Sequence, residues 1–482
     1  MDPILTMSGT ALAKKIREKE ITSTEVVETH IRHIQKFNPV LNAVVKDRFF
    51  QARAEAKAAD EMSRNLPLEK LPVFHGVPCT IKECFAVAGM PNTSGLVARI
   101  GIISEEDATA VARLKKAGAI PLGVTNLSEL CMWMESNNNV YGRTNNPYNP
   151  KRIVGGSSGG EGAIIGAGGS PFGLGSDIAG SIRMPAFFNG VFGHKPSSGL
   201  VPNSGQYPIA ADEALRYLTT GPLARRAEDL WPLLKILAGP DGKDDGCRAM
   251  ELGDPNKVKI NDLSVMVVED NGAVNVRPDM RQALHKAADA LEKLGAKVVT
   301  KKIYGLKKTF DIWSSMLSVA GGPTFSEMLG NGKPIASYKE LGNWALRKSQ
   351  YTLPAIMLTI LENLPKMMPQ RTKKFVEMGK ALREELTQLM GPNGIMLYPS
   401  YPSVAPVHNK PMMPPFNWQY TAIMNVMEFP VTQVPLGLNH EGLPLGAQVV
   451  SIHGNDHVTI AAALELEKIL AGWVPPGFDY LI

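Results

Sequence analysis

Apolar positions along this chain follow two periods, and the two alternate. Thr22-Ser23-Thr24-Glu25 reads as a capping box, and the stretch it opens places Val26, Val27, Ile31 and Ile34 on one helical face. "EDATAVARLKKAG", "RQALHKAADALEKLG" and "DHVTIAAALELEKILAG" carry the same period and stop at Gly118, Gly295 and Gly472, the glycine expected just past a helix. Between them lie short apolar runs suited to buried strands: "GVPCTI", "AIPLGVT", "LSVMVVE", "AKVVTK", "IMLYPS" and "PVTQVPLG". The alternation predicts an α/β protein layered around a largely buried sheet.

Two segments break the pattern. Residues 239–262 are polar and turn-rich and read as a surface excursion. Residues 341–370 are apolar, rich in methionine and interrupted by Pro354, Pro365 and Pro369; a buried helix pair is one reading, a lid or lipid-facing surface the other.

A third segment is unusual in composition. "GGSSGG", residues 155–160, begins a glycine-dense stretch that runs on as "EGAIIGAGGSPFGLGSDIAGSIRMPA". A flexible linker would be glycine- and serine-rich throughout, whereas this stretch is punctuated by Ile164, Ile165, Phe172, Leu174, Ile178, Ile182 and Met184. Its glycines therefore point to close backbone approach or unusual dihedrals. A phosphate loop would end in Gly-Lys-Ser/Thr, which is missing, and the dinucleotide fingerprint fails because Ile178 stands where its third glycine belongs. Gly155 to Gly159 does satisfy G-x-S-x-G, the nucleophile elbow of an α/β hydrolase, with Ser157 as nucleophile; that reading leaves Ser181 and its surroundings unexplained.

Composition narrows the rest. The 482 residues are 44% hydrophobic and 20% charged, a globular balance, and the net charge of +5 is small and scattered, which argues against a nucleic-acid partner. Cys79, Cys84, Cys131 and Cys247 form no disulfide framework and suit a reducing cytoplasm. The N-terminal stretch lacks the layout of a signal peptide, and no apolar run is long enough to span a membrane. His30, His33, His453 and His457 lack the glutamate and third ligand of a zinc site, so no metal is expected, and surface positions are expected for these histidines.

The run from Gly155 to Ala186, with its two serines, acidic residue and "SIRMP", resembles the amidase signature. "GVPCTIKECF" is similar to the strand that carries that family's lysine. The likeness extends over nearly the whole chain and is nearest the second fatty-acid amide hydrolase type, through "IPLGVTNLSELCMW", "YGRTNNPY", "MPAFFNGVFGHKPS" and "YPSYPSVAP". It implies one domain over 1–482, a large mixed, twisted β-sheet covered on both faces by α-helices. The core would lie at about 65–240 and the catalytic signature at 155–186, with 341–370 as a lid or lipid-facing insertion.

By the same resemblance a Ser-Ser-Lys triad falls on Ser181 as nucleophile, Ser157 as bridge and Lys82 as base, with a cis peptide at Gly156–Ser157. Backbone N–H groups of Ile178, Ala179, Gly180 and Ser181 would form the oxyanion hole, and Cys131, Met132, Trp133 and Met134 would line the substrate channel. Ala179 departs from the pattern, which has glycine there. The chemistry is coherent: a serine hydroxyl needs a base, a neutral lysine can be one, and a second hydroxyl can donate and accept at once to relay the proton. Ser158, Asp177 and Arg183 read as hydrogen-bonding supports of the loop.

The expected activity is hydrolysis of carboxylic amides with apolar acyl or amine groups, without a cofactor. Another amidase (an aryl-acylamidase, a peptide amidase, a carbamate hydrolase or an amidotransferase glutaminase subunit) or a silent lipid-amide carrier are the alternatives. Because relatives of this type carry an N-terminal hydrophobic anchor that is missing here, a cytoplasmic enzyme in at most peripheral contact with membranes is expected, with a homodimer left open.

Overall fold

The computed structural model describes residues 1–363, 367–413 and 416–478. Its strands are β1 (Val44–Asp47), β2 (Val77–Lys82), β3 (Ala119–Thr125), a small hairpin of β4 (Asn137–Asn138) and β5 (Gly142–Arg143), then β6 (Phe172–Asp177), β7 (Phe192–Lys195), β8 (Thr219–Ala224), β9 (Ser264–Val267), β10 (Lys297–Thr300), β11 (Gly394–Tyr398), β12 (Val431–Leu438) and β13 (Pro444–Val450). All but the hairpin join one 11-stranded sheet in the order β1-β3-β2-β6-β8-β7-β12-β13-β11-β9-β10. It is mixed: β2 runs parallel to both β3 and β6, and β9 to both β10 and β11, while the strands between pair antiparallel.

The apolar runs are continuous because both faces of the sheet are buried. On β9 and β11, Val265, Val267, Ile395 and Leu397 pack into one hydrophobic cluster with Leu284 and Leu291 of the helix Pro278–Lys293 and Ile460 of the helix Asp456–Leu470. The alternate residues Met266, Met396 and Tyr398 pack into a second cluster with Ile312, Phe375 and Leu382 from the helices Thr309–Val319 and Pro369–Met390. A period of two thus divides each strand between two helical layers.

Local signals match the elements they foretold. Thr22 caps the helix Ser23–Leu41, its Oγ1 accepting the Glu25 N–H at 3.0 Å. Gly118 and Gly295 take up φ of +89° and +96° just past their helices. Residues 239–262 carry only two short 3₁₀ turns, Pro255–Lys257 and Ile260–Asp262. Within 341–370, the helix Ser337–Ala345 buries no residue, whereas Leu353–Leu361 buries Ala355, Ile356 and Thr359; residues 364–366, Pro365 among them, lie outside the described residues. One expectation is corrected: His30 is fully buried, because its Nδ1 meets the Val26 carbonyl one turn back at 2.8 Å, and burial pushes its pKa down to about 3.

Candidate active site

The parallel strands β2 and β6 end side by side, and their last residues supply the polar centre of the molecule. Lys82, the final residue of β2, is completely buried; its Nζ donates to Ser157 Oγ at 2.7 Å and to Ser176 Oγ at 3.0 Å. Ser157 follows a cis peptide after Gly156 and leads into the helix Gly159–Gly166. Glycine is required at 156 because a Cβ there would strike the Trp133 carbonyl and lie 2.6 Å from Ser128 Oγ. Ser136 pins the same turn from within, donating to the Gly155 carbonyl at 3.0 Å and accepting the Gly159 N–H at 3.0 Å.

Ser181 lies in the turn between β6 and the helix Arg183–Phe188. The Ser158 N–H reaches its carbonyl at 3.2 Å, which sets the two serine-bearing segments against each other, and Ser157 and Ser181 line one cavity. Among the described residues no hydrogen bond joins their two hydroxyls.

The Ile178–Ser181 backbone is held through its carbonyls. That of Asp177 accepts from Asn425 Nδ2 at 3.0 Å, Ile178 from Trp313 Nε1 at 3.2 Å, Ala179 from Thr421 Oγ1 at 2.8 Å, and Gly180 from the Met184 N–H at 2.8 Å. A trans peptide directs its N–H opposite its C=O, so these bonds also orient the N–H groups of Ile178, Ala179, Gly180 and Ser181. The Gly180 N–H is taken by Asp177 Oδ1 at 2.7 Å, whereas those of Ile178, Ala179 and Ser181 meet no protein acceptor among the described residues. Three donors, not the expected four, are thereby left open. Gly180 cannot be replaced: its φ is +116°, and a Cβ would collide with the Thr421 side chain.

Asp177 and Arg183 brace this turn. Arg183 Nη2 and Nε meet the two Asp177 carboxylate oxygens at 2.9 and 3.0 Å, and neither side chain is exposed. Arg183 also reaches Gln448 Oε1 at 2.7 Å and Asn425 Oδ1 at 2.6 Å, so its donors are satisfied deep in the protein. Burial works against ionisation of Asp177, yet the Arg183 charge holds its carboxyl far below the usual carboxylate range. Ser158 Oγ points to the Ser176 carbonyl at 3.4 Å, a looser support.

Above the serines opens a cavity of about 650 Å³. Cys131, Met132, Trp133 and Met134 all line it, on a turn whose left-handed residues Leu130 and Cys131 have φ of 52° and 60°; Ser128 Oγ fastens that turn to the Trp133 carbonyl at 2.7 Å. The opposite wall is apolar and comes from far along the chain: Phe310 and Trp313, then Met357, Leu358 and Leu361, then Trp418. Among the described residues no group of histidine, cysteine, aspartate or glutamate is arranged to hold a metal ion.

A mixed sheet whose parallel strands end in a buried lysine–serine contact beneath an apolar cavity is an α/β architecture with a polar site at its strand ends, and comparison with known proteins specifies the family. A family model described as Amidase matches residues 25–460. Fatty-acid amide hydrolase 2 of Homo sapiens is 46% identical over 492 residues, covering 99% of this chain and 91% of its own length. Fatty-acid amide hydrolase 2-A of Danio rerio is likewise 46% identical over 493 residues, with coverage of 99% and 91%. The solved structure of 6-aminohexanoate cyclic dimer hydrolase complexed with substrate superposes with a TM-score of 0.83 at 25% identity, covering 99% of both chains. The chain belongs to the amidase family and is an amide hydrolase.

Sequence reasoning missed Ser176, the second partner of Lys82, and the clamps Trp313, Thr421 and Asn425. Ser176 carried only a local signal, its place in the glycine-dense stretch one residue before Asp177. The other three carried none, since their proximity is created only by the fold.

Proposed function

We propose that this chain hydrolyses carboxylic amides whose acyl or amine part is a long apolar chain, with Ser181 as nucleophile, Ser157 as bridge and Lys82 as base. The observation that carries the reading is the 2.7 Å contact from Lys82 Nζ to Ser157 Oγ at the floor of the apolar cavity that Ser181 also lines. With Lys82 neutral, its Nζ takes the Ser157 proton across the 2.7 Å contact as Ser157 Oγ takes the proton of Ser181, whose own hydroxyl turns to meet it. Ser181 Oγ attacks the amide carbon, and the oxyanion is met by the open N–H groups of Ile178, Ala179 and Ser181. Collapse expels the amine, which receives the proton back along the same path, and water then cleaves the acyl-enzyme.

The apolar walls support a lipid-like substrate, because a cavity of this lining rewards methylene groups and offers few partners to a polar side chain such as that of glutamine. Turnover of oleamide, a short anilide and glutamine by the wild-type protein and Ser181→Ala tests this. The fatty amide is expected to be hydrolysed with the highest kcat/KM, and the variant to lose activity while keeping its melting temperature. Preference for glutamine, or an active Ser181→Ala, contradicts the reading.

We read the chain as one catalytic unit in which the helices of 337–361 act as a lid. Among the described residues no helix is long and apolar enough to cross a membrane. Yet Ile209, Met357 and Phe416 line the cavity while remaining exposed, and exposed Tyr338, Trp344 and Leu346 lie on or just past the first helix of the lid, beside Lys339, Arg347 and Lys348. Apolar residues interleaved with cations suit peripheral docking on an anionic bilayer. Co-flotation with vesicles containing phosphatidylserine is expected; absence of binding at low salt rejects it.

A further inference from the structure

The side chains that hold the carbonyls of the turn at 177–181 differ in where they lie. Asn425, which meets the Asp177 carbonyl, and Thr421, which meets that of Ala179, are completely buried and line no part of the cavity. Trp313, which meets the Ile178 carbonyl, is half-buried and forms part of the cavity wall. It shares that wall with Phe310 and Leu317, its neighbours on one face of the helix Thr309–Val319, while Ile312 and Met316 face the interior. One indole thus serves two surfaces. Its N–H donates at 3.2 Å to the Ile178 carbonyl, which takes no other hydrogen bond among the described residues, and its ring borders the space an apolar chain would fill.

We propose that Trp313 couples the substrate's apolar chain to the oxyanion hole: a chain lying against its ring tightens the indole's hold on the Ile178–Ala179 peptide, so long-chain amides gain in kcat and not only in KM.

The peptide between Ile178 and Ala179 is trans, so its C=O and N–H point in opposite directions and a bond to the one sets the aim of the other. The Ala179 N–H is one of the open donors of the proposed oxyanion hole, and such donors act only when aimed at the place where charge develops. That aim rests on a bond at the long end of the normal N–H···O range, made at the edge of the cavity. Water entering the cavity competes for the indole N–H and for the carbonyl alike. Methylene groups packed on the ring exclude it, and a hydrogen bond in drier surroundings is stronger. The Trp418 ring, edge to face at 4.7 Å, backs the indole and limits its rotation. Binding energy from the far end of the substrate is thereby used at the reacting centre, and truncated substrates lose kcat.

The inference rests on the reading of this cavity as an amidase site, and a series of primary amides sharing one leaving group tests both: acetamide, hexanamide, decanamide and oleamide, assayed with the wild-type protein and Trp313→Phe. In the wild type, kcat is expected to rise about 10-fold along the series while KM falls, because loosening one oxyanion donor costs less than removing it. Trp313→Phe keeps an apolar ring and loses the N–H. Its KM is expected to fall with chain length as before, its kcat to stay flat at the short-chain value, and its kcat–pH profile to match the wild type, since Lys82 and Ser157 are untouched. A wild-type kcat that does not change with chain length overturns the inference and leaves the amidase reading standing. So does a Trp313→Phe protein whose kcat still rises along the series, or one whose pH profile shifts, which assigns the loss to the proton path. Wild-type protein that hydrolyses none of these amides rejects the amidase reading, and the coupling with it. Should Trp313→Phe not fold, 3-benzothienylalanine incorporated at position 313, with sulfur in place of the indole N–H and the ring shape kept, gives the same comparison.

Discussion

Glu161 is a buried carboxyl in the helix Gly159–Gly166 with no ion pair among the described residues, receiving hydrogen bonds from Thr80 Oγ1 at 2.7 Å and Thr125 Oγ1 at 2.8 Å. Burial pushes its pKa up from 4.5 to about 8. The folded value lies above the unfolded one, so the stability Glu161 contributes is whole below about 4.5 and is lost as pH rises through about 8. Glu161→Gln removes that loss. Thermal melts are expected to show the variant gaining on the wild type between pH 5 and pH 9; a difference that stays constant over this interval contradicts the assignment. At this scale the sequence was legible where the candidate site is local in the chain. Ser157, Asp177, Ser181 and Arg183 stood within one glycine-dense stretch, and Lys82 closed an apolar run that is β2. What the stretch could not display was the commitment of the Gly180 N–H to Asp177, because that depends on a side-chain rotamer held by Arg183 together with Asn425 from far along the chain.

The elements differ in how openly they announced themselves. Helices with a cap at one end and a glycine at the other, and strands buried on both faces, were read from their periods. The strand β6 was not, since Phe172-Gly173-Leu174-Gly175 looks like a loop until the fold shows that a Cβ at Gly173 would collide with Glu161. The helix Leu353–Leu361 was ambiguous for a physical reason: one side packs on the protein and the other borders the cavity, so apolar residues surround it. Its start is tied to the turn that bears Cys131, as Glu129 Oε2 accepts the Thr352 N–H at 2.8 Å and the Thr352 hydroxyl at 2.7 Å. Burial pushes Glu129 up to about 7, and its other oxygen has no hydrogen-bond partner among the described residues. Leu361→Trp at the far end of this helix fills part of the cavity. With overpacking worth about 1 to 3 kcal/mol, kcat/KM for the longest acyl chains is expected to fall about 5- to 150-fold while short-chain amides are unaffected. An unchanged chain-length profile removes this helix from the acyl wall.

Across the whole molecule, the sheet order is what turns a list of polar residues into a site. β2 and β6 are neighbours although most of a hundred residues lie between them, and their shared carboxyl-terminal edge is where open α/β sheets bind ligands. The later half of the chain closes the cavity from the other side, with Phe310, Trp313 and Trp418 in an aromatic cluster whose Trp313 and Trp418 rings lie 4.7 Å apart edge to face. No spacing rule links position 178 to 313 or 421, so these clamps were illegible in the sequence, although the class of fold that joins them was not.

The account stands on a proton path from Ser181 through Ser157 to Lys82, and its most direct test is the rate and site of covalent labelling by a long-chain fluorophosphonate. Mass spectrometry is expected to place the adduct on Ser181 alone, and Lys82→Ala and Ser157→Ala, folded by circular dichroism, are each expected to slow labelling by about 10²- to 10⁴-fold. An adduct on Ser157, or a Lys82→Ala protein labelled as fast as the wild type, contradicts it.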